Sequence, residues 1–232
     1  MSDTANIDPK DLTHASRPGF DSALAEIKDD VLRMGMLVEG QIHAAIAALA
    51  NHDAEAALKV IKADIQINEL QRHATSTIAD VIALQSPVAR DLRYLLTLDH
   101  VSYELERMGD HAASVAKQAR RMAPFPHLKD DGEIPELGRL VADQVKEIIR
   151  ALVDSNVDAA RDVARRDDEV DAIYRRIFEQ VLKAMRDDPE KIESGTGALF
   201  AGHYLERIGD RVTNIAEDIV FLSSGEVEDL NP

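Results

Sequence analysis

The sequence predicts an all-α protein, two tandem three-helix bundles related by internal duplication, and three observations carry that expectation. Aromatic residues make up only 4% of the chain and tryptophan is absent, while Ala, Leu, Ile, Val, Glu, Asp and Arg dominate, the mixture of a helical bundle and not of a sandwich or barrel. Apolar residues recur at helical spacing through runs much longer than an ordinary strand. The hexapeptide Leu105-Glu106-Arg107-Met108-Gly109-Asp110 returns 100 residues later as Leu205-Glu206-Arg207-Ile208-Gly209-Asp210.

A polar tail, residues 1–19, carries Asp3, Asp8 and Asp11 and lacks the apolar segment of a secretory leader. The first repeat, residues 20–123, begins with a helix through Leu24, Ile27, Val31, Met34, Val38, Ile42 and Leu49. The Asn51-His52-Asp53 cluster stops this helix and caps a second, which runs through Ala57, Val60, Ile61, Ile65, Leu70, Ile78 and Ile82 to about Gln85. Ser86-Pro87 separates it from a third helix over 88–122, because the residue before proline is pushed out of the α region. Residues 124–135, with three prolines, Gly132 and an acidic cluster, form the linker. The second repeat, residues 136–223, follows the same plan: a helix over 136–152, a break at Asp154-Ser155-Asn156, a helix to about Asp187, a break at Asp188-Pro189, and a helix to about Leu222. A short C-terminal tail, 224–232, completes the chain.

The halves also match outside the hexapeptide: Gln41, Ala48, Leu49, Val60 and Asp64 recur as Gln144, Ala151, Leu152, Val163 and Asp167. Each unit is expected to close its own core, and helices of about 30 residues would be roughly 45 Å long, giving an elongated molecule.

A formal charge of −16 and the lack of a basic stripe argue against nucleic-acid binding. With no cysteine there is neither a disulfide framework nor a thiolate metal site. No apolar stretch approaches the length of a bilayer span, so the expectation is a cytoplasmic protein.

The repeated acids are the main clue to function. Glu106 and Asp110, like Glu206 and Asp210, stand at i and i+4 on a helix, where two like charges on one face destabilise each other and call for a cation. A second set lies on the preceding helix, Asp64 with Asn68 in the first half and Asp167 with Asp171 in the second. If antiparallel packing joins the stripes, each half presents a patch of oxygen ligands suited to Mg²⁺, Mn²⁺ or Ca²⁺, or to carboxylate-bridged iron. His203 or His111 would widen the choice toward Fe, Zn or Ni. The competing reading pairs the acids with Arg107, Arg207 and Arg211 on a solvated face. Gly109 and Gly209 admit either close approach of a helix or metal, or an ordinary helix crossing.

A carboxylate-bridged di-metal enzyme is disfavoured, because ferritin-like sites use Glu-x-x-His and here Gly109 and Gly209 stand three residues after the glutamates. No nucleophile elbow or phosphate-cradling loop is present, and a metal-free helical scaffold is the other alternative to a metal-binding protein. Arg90, Arg93 and Arg107 are candidates for contact with an anion, although surface ion pairs explain them more simply.

The segment Leu84-Gln85-Ser86-Pro87-Val88-Ala89-Arg90-Asp91-Leu92-Arg93, followed by Leu105-Glu106-Arg107-Met108-Gly109-Asp110-His111-Ala112, resembles the first repeat of the PhoU family. The segment from Leu205 to Glu217 resembles its second repeat, and the similarity covers about residues 20–223. The resemblance implies two three-helix bundles and a non-enzymatic role in phosphate homeostasis, restraining phosphate uptake and the starvation response. Its implied partners are a phosphate-specific ABC transporter and a sensor histidine kinase, with peripheral membrane association through them, and its implied assembly is a homodimer. It further implies multinuclear metal clusters, which map to Glu106/Asp110, Glu206/Asp210 and Asp167/Asp171, with Asn68 making the first cluster less anionic. Divalent or trivalent ions are expected there, Fe, Zn, Mn, Ni or Mg, with the identity left open.

Overall fold

Helices account for almost all of the described residues, which are 18–88, 90–126, 128 and 133–230 of a computed structural model. In chain order they are α1 (Pro18–Ala50), α2 (Ala54–Ala63), α3 (Ile65–Gln85), α4 (Arg90–Met122), α5 (Glu133–Val153), α6 (Val157–Ala164), α7 (Asp167–Asp187) and α8 (Ile192–Ser224). A single 3-10 turn, Pro189–Lys191, precedes α8, and the described residues contain no strand. The predicted tail lies, through residue 17, outside the described residues.

Local chemistry places the breaks where the sequence puts them. Asp53 caps α2 by accepting from the Glu55 and Ala56 N–H groups, and Asn156 caps α6 by accepting from the Ala159 N–H. The residues before these caps, His52 and Ser155, take the left-handed conformation at φ 51° and 50°. Three expected boundaries shift. The third helix begins at Arg90, not at 88, because Ser86 is left-handed at φ 45° ahead of Pro87. The helix expected from 136 begins at Glu133, since Pro135 sits in the first turn, where its missing N–H has no intrahelical role. The second helix of each half, expected to be continuous, is broken into α2–α3 and α6–α7.

The two halves do not close separate cores. The long helices α1, α4, α5 and α8 pack together as a central layer, with α4 against α8 the most extensive contact, while α2–α3 and α6–α7 flank it. One continuous apolar cluster runs through both halves, from Ile27, Met34 and Leu98 to Leu137, Ile148 and Leu205, all fully buried. Each such side chain contributes about 1.5–3 kcal/mol. The α1–α5 crossing is close because Gly35 has no side chain: a Cβ there would come within 2.9 Å of Ile149. The ion pairs Arg211–Glu104 and Arg121–Glu193 show that α4 and α8 run antiparallel. No helix among the described residues is long and apolar enough to cross a membrane.

Candidate metal centre

The acidic clusters form where the flanking helices break. Asp64 keeps a right-handed conformation (φ −55°, ψ −30°), yet the ladder shifts there, with the Ile67 N–H donating to the Asp64 carbonyl at 3.0 Å. Neither proline nor glycine marks the break. A side chain from α1 enters it: Gln41 Nε2 donates to the Val60 carbonyl at 3.4 Å and to Asp64 Oδ1 at 3.2 Å. In the second half the Arg166 N–H donates to the Val163 carbonyl at 3.0 Å, and α7 starts one residue later at Asp167.

The repeated glycines then let these aspartates reach the opposing helix. A Cβ on Gly109 would lie 3.1 Å from Asp64 Oδ1, 3.3 Å from Gln41 Oε1 and 2.9 Å from the Ile67 methyl. A Cβ on Gly209 would lie 3.3 Å from Asp167 Oδ1 and 3.2 Å from Val170. The two readings of these glycines therefore coincide, since each glycine sits at a helix crossing and the crossing element brings the carboxylate.

The structure brings together Asp64, Glu106 and Asp110 in the first half, and Asp167, Asp171, Glu206 and Asp210 in the second, as mutually repelling groups. Burial is the main cause that raises the carboxyls of Asp64, Glu106, Asp171 and Asp210, and neighbouring acids raise them further. Asp167 is pushed up to about 6, by burial first and then by Asp210, Asp171 and Glu206. Of the two histidine candidates, His203 joins the second cluster, its Nδ1 3.5 Å from Glu206. His111, stacked on Tyr204, is lowered to about 4 by burial and by Arg211 and Arg107, so it is neutral at physiological pH.

Arginines partly offset the repulsion. Arg107 lies 3.2 Å from Asp110 and 4.0 Å from Glu106, and Arg207 lies 3.1 Å from Asp210 and 3.0 Å from Glu206. Arg211 does not join them; it is drawn 3.2 Å from Glu104, a glutamate only 2% exposed in the α4–α8 contact. No three His, Asp or Glu side chains among the described residues stand close enough to hold an ion as placed.

The donor set nevertheless suits a hard cation. Gln41 Oε1 and Asn68 Oδ1, both beside Asp64, and Gln144 Oε1 on α5 are buried with no hydrogen-bond partner among the described residues. An unpaired buried carbonyl oxygen costs about 1–3 kcal/mol, and a cation would satisfy it. Gln41 and Gln144 were not among the predicted ligands. Their signal was in the sequence, for they recur in register with Asp64 and Asp167 on otherwise apolar helix faces.

Fold and clusters define a class: all-helical proteins made by duplication of a three-helix unit, with one acidic centre per unit. The model of the PhoU domain matches residues 31–119 and again 134–219, so the chain belongs to the PhoU family. It is 39% identical over 217 residues to the phosphate-specific transport system accessory protein PhoU homolog of Clostridium acetobutylicum, covering 93% of this chain and 99% of that protein. The Caulobacter vibrioides protein of the same description is 36% identical over 216 residues, covering 93% of this chain and 94% of its own. Among solved structures, PhoU from Pseudomonas aeruginosa superposes with a TM-score of 0.86 at 32% identity, covering 89% of this chain and 100% of that one. The phosphate transport system regulatory protein PhoU from Streptococcus pneumoniae gives 0.82 at 31% identity, covering 90% and 99%.

Proposed function

We propose that this protein is a cytoplasmic, non-enzymatic regulator of phosphate homeostasis, which restrains phosphate uptake and the starvation response by coupling a phosphate-specific ABC transporter to a sensor histidine kinase. The observation that carries this reading is the match of both repeats to relatives described as accessory to phosphate-specific transport, over 93% of the chain. Membrane association is then peripheral, through those partners, and the working assembly is a homodimer. Deleting the gene is expected to raise alkaline phosphatase expression in phosphate-replete cells. Ordinary repression in that strain would count against the regulator.

Metal binding is part of the same proposal. Asp64, Glu106 and Asp110 would hold metal in the first half, and Asp167, Asp171, Glu206 and Asp210 in the second, with the Gln41 and Gln144 carbonyls beside them. Bound cations would supply positive charge and cross-link each flanking pair of helices to the central layer; Arg107 and Arg207 would be displaced toward solvent. A metal-free scaffold is favoured by one observation, that each of those arginines already bridges its acid pair. Elemental analysis of untagged protein separates the two.

A further inference from the structure

Arg90 and Arg93 line a cavity of about 380 Å³ where the first turn of α4, the α5–α6 turn and the last turn of α8 meet. Tyr94, Ser155, Ile219, Leu222 and Ser223 complete its wall. Neither arginine meets a carboxylate among the described residues, as holds also for Arg33, Arg120, Arg139 and Arg150 on other faces. What sets these two apart is that both guanidinium-bearing side chains line one cavity. Arg93 is held in place, with its guanidinium 5.9 Å from the centre of the Phe221 ring and against Gly225. That glycine has φ 78°, and its missing Cβ makes room for the guanidinium. Lys28, 4.9 Å over the Tyr94 ring, adds a third cation nearby.

The duplication provides an internal comparison. The positions matching Arg90, Arg93 and Tyr94 in the second repeat hold Glu190, Glu193 and Ser194. There the corresponding side chains are engaged in contacts of their own. Ser194 Oγ donates to the Pro126 carbonyl at 2.7 Å, Arg121 pairs with Glu193 at 3.1 Å, and Leu128 of the linker is buried. The duplicated fold therefore does not demand a cationic cavity at this place. Arg93 also lies at the negative end of α8, which explains one guanidinium. It does not explain Arg90, the open volume, or the Ser155 and Ser223 hydroxyls, which have no side-chain hydrogen-bond partner among the described residues.

We propose that this cavity binds a phosphate-type oxyanion, gripped by the guanidinium groups of Arg90 and Arg93. Planar donors in a fork, with hydroxyl donors beside them, match the several acceptor oxygens of such an anion. The choice of phosphate among oxyanions rests on the phosphate-homeostasis reading, while the site itself rests on the chain's own residues. Its source is free phosphate or the phosphate ester of a small molecule.

Calorimetric titration of the full-length, chelator-stripped protein with inorganic phosphate, and separately with phosphoserine, tests the site and identifies the source. Saturable binding of either anion at a single site is expected, weakening as salt is raised. Affinity should fall about tenfold or more in Arg90→Gln, a substitution at an exposed position, and further in Arg90→Gln/Arg93→Gln. Arg121→Gln, at the matching end of the first repeat, should bind like the unaltered protein. Failure of both anions to saturate below about 10 mM, or unchanged affinity in the double variant, overturns the site. The deletion phenotype is scored independently, so its failure would strike the regulator and leave a measured anion site standing.

Discussion

Asp167 carries the sharpest electrostatic burden of any single residue in the second centre. Its carboxyl titrates near 6 in the folded chain against an ordinary value of 3.8, so between those values the native state holds more protons than the unfolded one. Stability of the metal-free protein must then fall as pH rises through that window, with the full penalty present above it. Asp167→Asn removes the penalty while keeping the shape. In chelator at neutral pH this variant is expected to melt a few degrees higher than the unaltered chain, with a flatter pH dependence between about 4 and 6. Its Tm is also expected to rise less than that of the unaltered chain when metal is added. A lower Tm in chelator, together with an unchanged response to metal, would show that the carboxylate is satisfied without a cation.

Between helices, the telling contact is the charged one buried where α4 meets α8. Glu104, 2% exposed, has Arg211 at 3.2 Å and His100 at 3.5 Å, and His100 in turn meets Asp218 at 2.7 Å. Arg211→Met leaves the glutamate without its guanidinium and is expected to destabilise by about 3 kcal/mol in urea titration, and adding Glu104→Gln should restore much of that. Additive losses in the double variant would mean the two residues do not interact. Capping and turn chemistry were legible beforehand, because Asp53 and Asn156 act through their own backbone neighbours. The breaks beside Asp64 and Asp167 were not, since no glycine or proline marks them and the first depends on Gln41 reaching in from a distant helix. Nor could amphipathic spacing reveal the shared core: it shows that α1 and α5 each have an apolar face, not that the two faces meet through Gly35 and Ile149.

Across the whole molecule, duplication has made two centres of unequal charge on one continuous core. Glu106/Asp110 and Glu206/Asp210 lie on α4 and α8, the helices that pack most extensively on each other, while Asp64 and Asp167 sit at the breaks between the flanking helices. A cation in either centre would therefore tie a flanking pair of helices to the shared layer. The carboxylate positions were readable from spacing and from the resemblance, yet their grouping depended on glycines that let a neighbouring helix come close. The most direct measurement is the metal content of untagged protein purified without chelator, compared with its Glu106→Ala/Glu206→Ala variant. We expect metal in the unaltered chain, strongly reduced content in the variant, and a Tm that rises with Mn²⁺, Zn²⁺ or Fe²⁺ only in the former. Metal-free protein whose melting is indifferent to all three ions, with Arg107 and Arg207 alone neutralising the acids, would contradict the metal centre.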